Sequence, residues 1–290
     1  MSRPRRQGAG RSAAPWILLS LALVVGGCQD PVTPTSPSAP TPPVLSASFV
    51  VSGDPAAPTG AGWTYTSTEG GVSYELRGIL LRPAGNGPFP AVILSHGLGE
   101  NVDSYARRLA SEMVTWGLVV IATNYTHAGG VAPGAPGTLA DLGASEANVQ
   151  RASKLIELLG RLGYVDLSRV AAHGHSAGAF VTAAFAAAQP SRLRAASITA
   201  GGVALPPFTT QTVATSEAQA QAIRVPVQLH HGDRDLVVPL PLAQRLAAIL
   251  RSNGVPHELT VYPGEGHDIG DHPAMLTSVR GWYGRHGVLR

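Results

Sequence analysis

Val170-Ala171-Ala172-His173-Gly174-His175-Ser176-Ala177-Gly178-Ala179 is the stretch that decides the fold. A short apolar run leads into Gly-x-Ser-x-Gly, and an Ala-rich helical pattern follows. The chain must turn from strand to helix within a residue or two, which holds a serine hydroxyl clear of the sheet. The flanking glycines suit that turn, because a side chain at either position would strike the neighbouring strand or helix. The helix opening at Ala177 also presents unpaired N–H groups and a partial positive charge beside the serine. In a chain with 34 glycines the pattern alone is weak, since a Gly-rich turn before a helix would look the same.

The surroundings give it weight. Upstream, the pattern predicts strands at Val72–Leu81, Ala91–Leu94 and Leu118–Ala122, and helices at Asp103–Trp116 and Gly143–Leu162. Strand Val170–Ala172 and helix Ala177–Gln189 form the elbow itself. Downstream follow strands Ala195–Thr199, Val227–Leu229 and Glu258–Val261, with helices Leu240–Arg251 and Pro273–His286. Short, continuous apolar strands alternating with helices predict a mostly parallel central sheet with helices on both faces. Val203–Arg224 breaks the rhythm and reads either as a cap over a site or as a packed connection.

Two later segments supply partners for the serine. His231-Gly232-Asp233-Arg234-Asp235-Leu236-Val237-Val238-Pro239 follows one strand, and Gly264-Glu265-Gly266-His267 follows the next. Both therefore fall at the C-terminal edge of the sheet, where open α/β folds gather their reactive groups. Serine, acid and histidine in that chain order are the α/β-hydrolase arrangement. Asp233 and Asp235 are the two candidates for the acid.

At this point the sequence resembles the α/β-hydrolase superfamily, and within it the dienelactone hydrolase and polyester (cutinase-like) esterase group. The resemblance covers roughly residues 72–285. It rests on Gly87–Gly97 (GPFPAVILSHG), Gly174–Gly178, His231–Pro239 and Tyr262–His267. It implies an α/β-hydrolase fold, Ser176 as nucleophile, His267 as general base and Asp235 as the acid, from its spacing to Val238-Pro239. It further implies oxyanion donors on the backbone N–H groups of Leu98 and Ala177. The expected activity is carboxylic-ester hydrolysis through an acyl-enzyme, on a small or lipid-like ester, with no cofactor and no metal. Dienelactone hydrolases usually have cysteine where this chain has Ser176. Polyester hydrolases commonly have Met and an aromatic residue where it has Ala177 and Leu98.

The remaining polar residues have plainer readings. His267, Asp268, Asp271 and His272 match no standard zinc spacing. His173, His175 and His230 read as packed strand residues, and His96 as a group ordering the loop after it. Asn124–Asp141 reads as a pocket wall, and Trp116, Trp282 and Tyr283 as core.

The front of the chain is of another kind. Residues 1–27 carry Arg3, Arg5, Arg6 and Arg11, no acid, and an apolar run through Trp16-Ile17-Leu18-Leu19. A basic start followed by a short apolar stretch predicts a signal peptide. Leu23-Val24-Val25-Gly26-Gly27-Cys28 resembles a bacterial lipobox, so Cys28, the chain's only cysteine, is expected to carry lipid at the cell envelope. Residues 28–43, with six prolines among Ser and Thr, read as a tether. Residues 44–290 then form one catalytic domain, expected to be monomeric.

Composition excludes several classes. Removing the four leader arginines from 21 basic residues leaves 17 against 18 acidic ones, a net of −1, so the domain lacks the basic excess of a nucleic-acid binder. One cysteine permits no intrachain disulfide. Two alternatives to an esterase stand beside it: a peptidase or amidase using the same three residues, and an inert binding lipoprotein on the same scaffold.

Overall fold

A computed structural model of the chain describes residues 47–69, 72–129, 141–210, 212–270 and 272–290. The expected signal peptide, Cys28 and the tether lie outside the described residues, as do Asp271 and most of the Asn124–Asp141 segment. The compact unit runs Val44–Arg290. Among the described residues no helix is long and apolar enough to cross a membrane.

Nine strands form one sheet: β1 (Ser48–Ser52), β2 (Ala61–Glu69), β3 (Val72–Leu81), β4 (Phe89–Ser95), β5 (Val119–Thr123), β6 (Val165–His175), β7 (Ala195–Thr199), β8 (Val227–Gly232) and β9 (His257–Tyr262). Their order is β1-β2-β3-β5-β4-β6-β7-β8-β9. The first three are antiparallel to their neighbours, and the six from β5 to β9 are parallel. This is an α/β fold with a mostly parallel sheet, as the pattern predicts. β1 and β2 were not expected, and β6 runs longer at both ends than its apolar triplet.

Helices cover both faces. They are α1 (Arg107–Thr115), α2 (Glu146–Gly160), α3 (Ala177–Ala188), α4 (Glu217–Ala222), α5 (Leu240–Ser252) and α6 (Pro273–Arg285). A π-helical turn, Val102–Ala106, precedes α1 where a single helix was expected. Alternation along each strand explains the unbroken apolar runs. Ala91, Ile93, Val170 and Ala172 join the core formed with α2, α3 and α5, whereas Val92, Leu94 and Ala171 join the core formed with α1 and α6. A strand buried on both sides has no polar positions to show. Trp116, Trp282 and Tyr283 are core residues, as read.

The chain lays β5 on one side of β4 and β6 on the other, so the strand order reverses between β4 and β6. Loops leaving the C-terminal ends of those two strands meet there, at the position where such sheets bind ligands. The irregular segment 203–224 contains the short helix α4, and isolated bridges tie it through Val203–Thr215 and Gly143–Val213.

Candidate active site

Ser176 follows the last residue of β6 and has φ 54° and ψ −120°, a conformation that side chains rarely adopt. Its N–H donates to the Thr199 carbonyl at 2.9 Å, which fastens the turn to β7. A Cβ on Gly174 would collide with the Gly178 carbonyl, and one on Gly178 would collide with the Ser95 carbonyl. The Gly-x-Ser-x-Gly pattern is thus a packing requirement: α3 starts so close to β4 and β6 that only hydrogen fits.

The histidine and the acid come from the next two loops along the same edge. His267 Nε2 lies 2.9 Å from Ser176 Oγ, and His267 Nδ1 lies 2.9 Å from Asp235 Oδ2. A carboxylate can only accept, so Nδ1 carries the proton and the Nε2 lone pair faces the serine hydroxyl. Asp235 is buried, and its Oδ1 accepts the N–H groups of Val237 and Val238 at 2.9 and 2.8 Å. Burial opposes its charge, but donors from His231, His267 and Val238 outweigh that and hold the carboxyl well below the usual carboxylate range. Asp233, the competing acid, accepts instead from the Gly264 N–H at 2.7 Å and braces the turn ahead of His267.

Leu98 leaves the end of β4 beside the serine. A Cβ on Gly97 would stand 3.3 Å from Ser176 Cβ, so this loop packs directly on the Ser176 side chain. The amides flanking Leu98 are occupied: Gly97 N–H donates to Glu100 Oε2 at 2.6 Å, and Gly99 N–H to the His127 carbonyl at 3.0 Å. Among the described residues the N–H groups of Leu98 and Ala177 have no partner, which leaves two donors free beside Ser176. Beneath them lies a neutral scaffold. His96 Nε2 accepts the Tyr125 N–H at 3.1 Å, and His127 Nε2 donates to the His96 carbonyl at 2.9 Å. Burial, then the proximity of His127, lowers the His96 pKa to about 3. Burial takes His127 to about 4.

His175 stacks on Tyr105 and stands 5.1 Å from the His267 ring, with Nδ1 3.0 Å from Thr199 Oγ1. Burial and, next, His267 depress its pKa to about 3, so it stays neutral. Among the described residues no cluster of His, Cys, Asp and Glu could hold a metal ion.

A cavity of about 180 Å³ opens at Ser176 and His267, walled by Leu98, Phe180, Thr210, Thr212, Val237 and Val238. Thr210 and Thr212 come from the irregular 203–224 segment, which therefore forms part of the wall. Apart from the 203–224 segment, which already read as a candidate cap, nothing local in the sequence announced these walls, which come from elements far apart in the chain. Glu100 and His231 also went unnoticed. Glu100 had one signal, an acid three residues beyond Gly97 in a Gly-rich loop, the spacing that lets a side chain reach back to a turn amide.

The family model for the dienelactone hydrolase family matches residues 76–270. The chain belongs to the dienelactone hydrolase family.

The matched span holds Leu98, Ser176, Asp235 and His267. No curated protein matches this family member in sequence. Among solved structures it is similar to a puromycin-hydrolyzing peptidase of Mycobacterium tuberculosis, with a TM-score of 0.61 at 18% identity, covering 81% of this chain and 45% of the peptidase. It therefore spans less than half the length of that protein. It is also similar to a cold-adapted esterase from an Arctic intertidal metagenomic library (TM-score 0.60, 17% identity, 79% and 94% covered). Esterase 2 of Thermogutta terrifontis gives a TM-score of 0.58 at 20% identity, with 77% and 92% covered. At these identities the likeness establishes the shared α/β-hydrolase fold.

Proposed function

We propose that this hydrolase cleaves carboxylic esters through an acyl-enzyme on Ser176. One observation carries the reading: the continuous chain Ser176 Oγ, His267, Asp235, with both links at 2.9 Å, at the mouth of a cavity. His267 Nε2 takes the hydroxyl proton as Oγ attacks the ester carbonyl, and Asp235 stabilises the imidazolium that forms. The N–H groups of Leu98 and Ala177 hold the tetrahedral oxyanion. His267 then gives its proton to the departing alkoxide oxygen. Water enters, His267 deprotonates it, and the acyl group leaves as a carboxylic acid. Two structurally similar proteins described as esterases support the ester class.

Export and anchoring belong to the same proposal. The basic leader, its apolar run and Cys28 support a lipid-anchored protein at the cell envelope, with residues 28–43 as its tether. Intact mass of protein taken from membranes tests this: a diacylglyceryl adduct on Cys28 is expected, and a free thiol there contradicts it.

The activity is tested with the full chain in detergent on 4-nitrophenyl acetate and the matching anilide. Ester turnover well above anilide turnover is expected. Anilide turnover exceeding ester turnover would move the reading to amide bonds.

A further inference from the structure

The cavity beside Ser176 is small, and exposed apolar side chains stand at its rim. Phe180, one turn into α3, is wholly buried, and with Val238 and Thr212 it limits the depth. A volume of about 180 Å³ compares with the ~150 Å³ of an engineered cavity that holds one benzene ring, so about six carbons fill it. The rim is different. Leu98 is 38% exposed, Val237 53% and Leu236 93%, and the first and second of these also line the cavity. Phe208, 38% exposed, stands two residues before the lining Thr210. Among the described residues, four of the eight exposed large hydrophobic side chains thus line the cavity or lie within two residues of one that does, where single scattered ones would need no explanation.

Leu236 is held in that position. Asp235 Oδ1 accepts from both Val237 and Val238, which pins the 235–238 turn and fixes Leu236 at its tip. The reaction distinguishes the two spaces. The acyl arm stays bonded to Ser176 until water arrives, so it gains from a cavity matched to its size. The alcohol arm must depart, so it gains from an open surface.

Building on the esterase reading, we infer that the site selects esters built asymmetrically: a short acyl arm of up to about six carbons in the cavity, and a longer apolar alcohol arm on the collar of Leu98, Leu236 and Val237. The acid product is small, and the alcohol product carries most of the substrate's apolar surface.

Octyl acetate and ethyl octanoate test this cleanly, being isomers with the arms exchanged and leaving groups of similar basicity. With the full-length protein, kcat/KM for octyl acetate should exceed that for ethyl octanoate at least about tenfold, since a single misplaced methylene in an apolar pocket already costs about that factor. Leu236→Ser should narrow the ratio by weakening octyl acetate through KM. Phe180→Leu should narrow it by admitting ethyl octanoate. Thr212→Leu, a half-buried change with little risk to folding, should widen it. Each ratio is internal to one protein preparation, so partial misfolding does not alter it. A ratio near one or reversed, with ester turnover present and Ser176 labelled by a fluorophosphonate, overturns the arm assignment and leaves the esterase reading intact. Absence of both turnover and labelling overturns the two together.

Discussion

His231 is wholly buried and points Nε2 at the Val238 carbonyl, 2.7 Å away, with Asp235 Oδ2 at 3.3 Å. A carbonyl accepts only, so Nε2 carries the proton and shares it between the turn and the acid. Asp235 therefore faces donors on every side: His267 and His231 at Oδ2, and two backbone amides at Oδ1. His231 acts through Asp235 as a positioning residue.

Replacing His231 with Leu should lower kcat about tenfold with little change in KM, because the acid loses a donor and the turn loses its tie. Gln, whose amide nitrogen reaches nearly the same point as Nε2, should restore most of the loss. Steady-state kinetics of the two variants check this; equal impairment by Leu and Gln would argue for packing alone.

Glu100 holds the Gly97 amide and thereby the backbone that presents Leu98. Glu100→Ala should cost about a hundredfold in kcat, comparable to loss of one oxyanion donor. Glu100→Gln should stay within a few-fold of the parent, since its amide oxygen still accepts from Gly97. Burial, with Asp268 adding to it, raises the Glu100 pKa. A raised carboxyl favours folding when protonated, and that contribution is lost as pH rises through the folded value. At pH 7 the charge therefore works against the fold. Glu100→Gln should melt no lower than the parent at pH 7, as calorimetry would show.

Five of the six buried histidines among the described residues make the fold sensitive to acid. Burial lowers His96, His173 and His175 to about 3, and His127 and His230 to about 4, against an unfolded value of 6.5. Between those values the unfolded chain binds more protons than the folded one. Each histidine's contribution is thus complete above about pH 6.5 and is lost as pH falls toward 3 or 4. The slope approaches 1.4 kcal/mol per pH unit for each. Urea midpoints should fall steeply from pH 6.5 to 4. A flat midpoint over that range would contradict neutral burial of these rings.

The parallel half of the sheet was legible because strands such as Ala91–Leu94 are covered on both faces, which leaves an uninterrupted apolar signal. The elbow was legible because its steric demand is local: Gly174 and Gly178 must lack side chains. β1 and β2 escaped notice for the opposite reason. β2 alternates, burying Ala61, Trp63, Tyr65 and Ser67 and exposing the residues between, a half-covered pattern rich in Thr and Ser that is easily taken for a loop. α4 is only six residues long, and its one marker is the Ser216–Gln219 capping box. The spacing to Val238-Pro239 favoured Asp235 over Asp233, and the geometry explains the difference: the Val237 and Val238 amides turn Asp235 inward, while Asp233 caps a neighbouring turn. Glu100 was hidden because its partner is a backbone amide, and His231 because its closest partner is a backbone carbonyl, neither of which residue types reveal.

The central claim is that Ser176 becomes acylated. Rapid-quench mass spectrometry of the full-length protein with 4-nitrophenyl acetate tests it most directly. A 42 Da adduct, the acetyl-for-hydrogen mass of the added group, is expected on the peptide containing Ser176, absent in Ser176→Ala and accumulating in His267→Ala only slowly. Turnover of the ester that survives in Ser176→Ala at the parent rate, or an adduct on another residue, would contradict it.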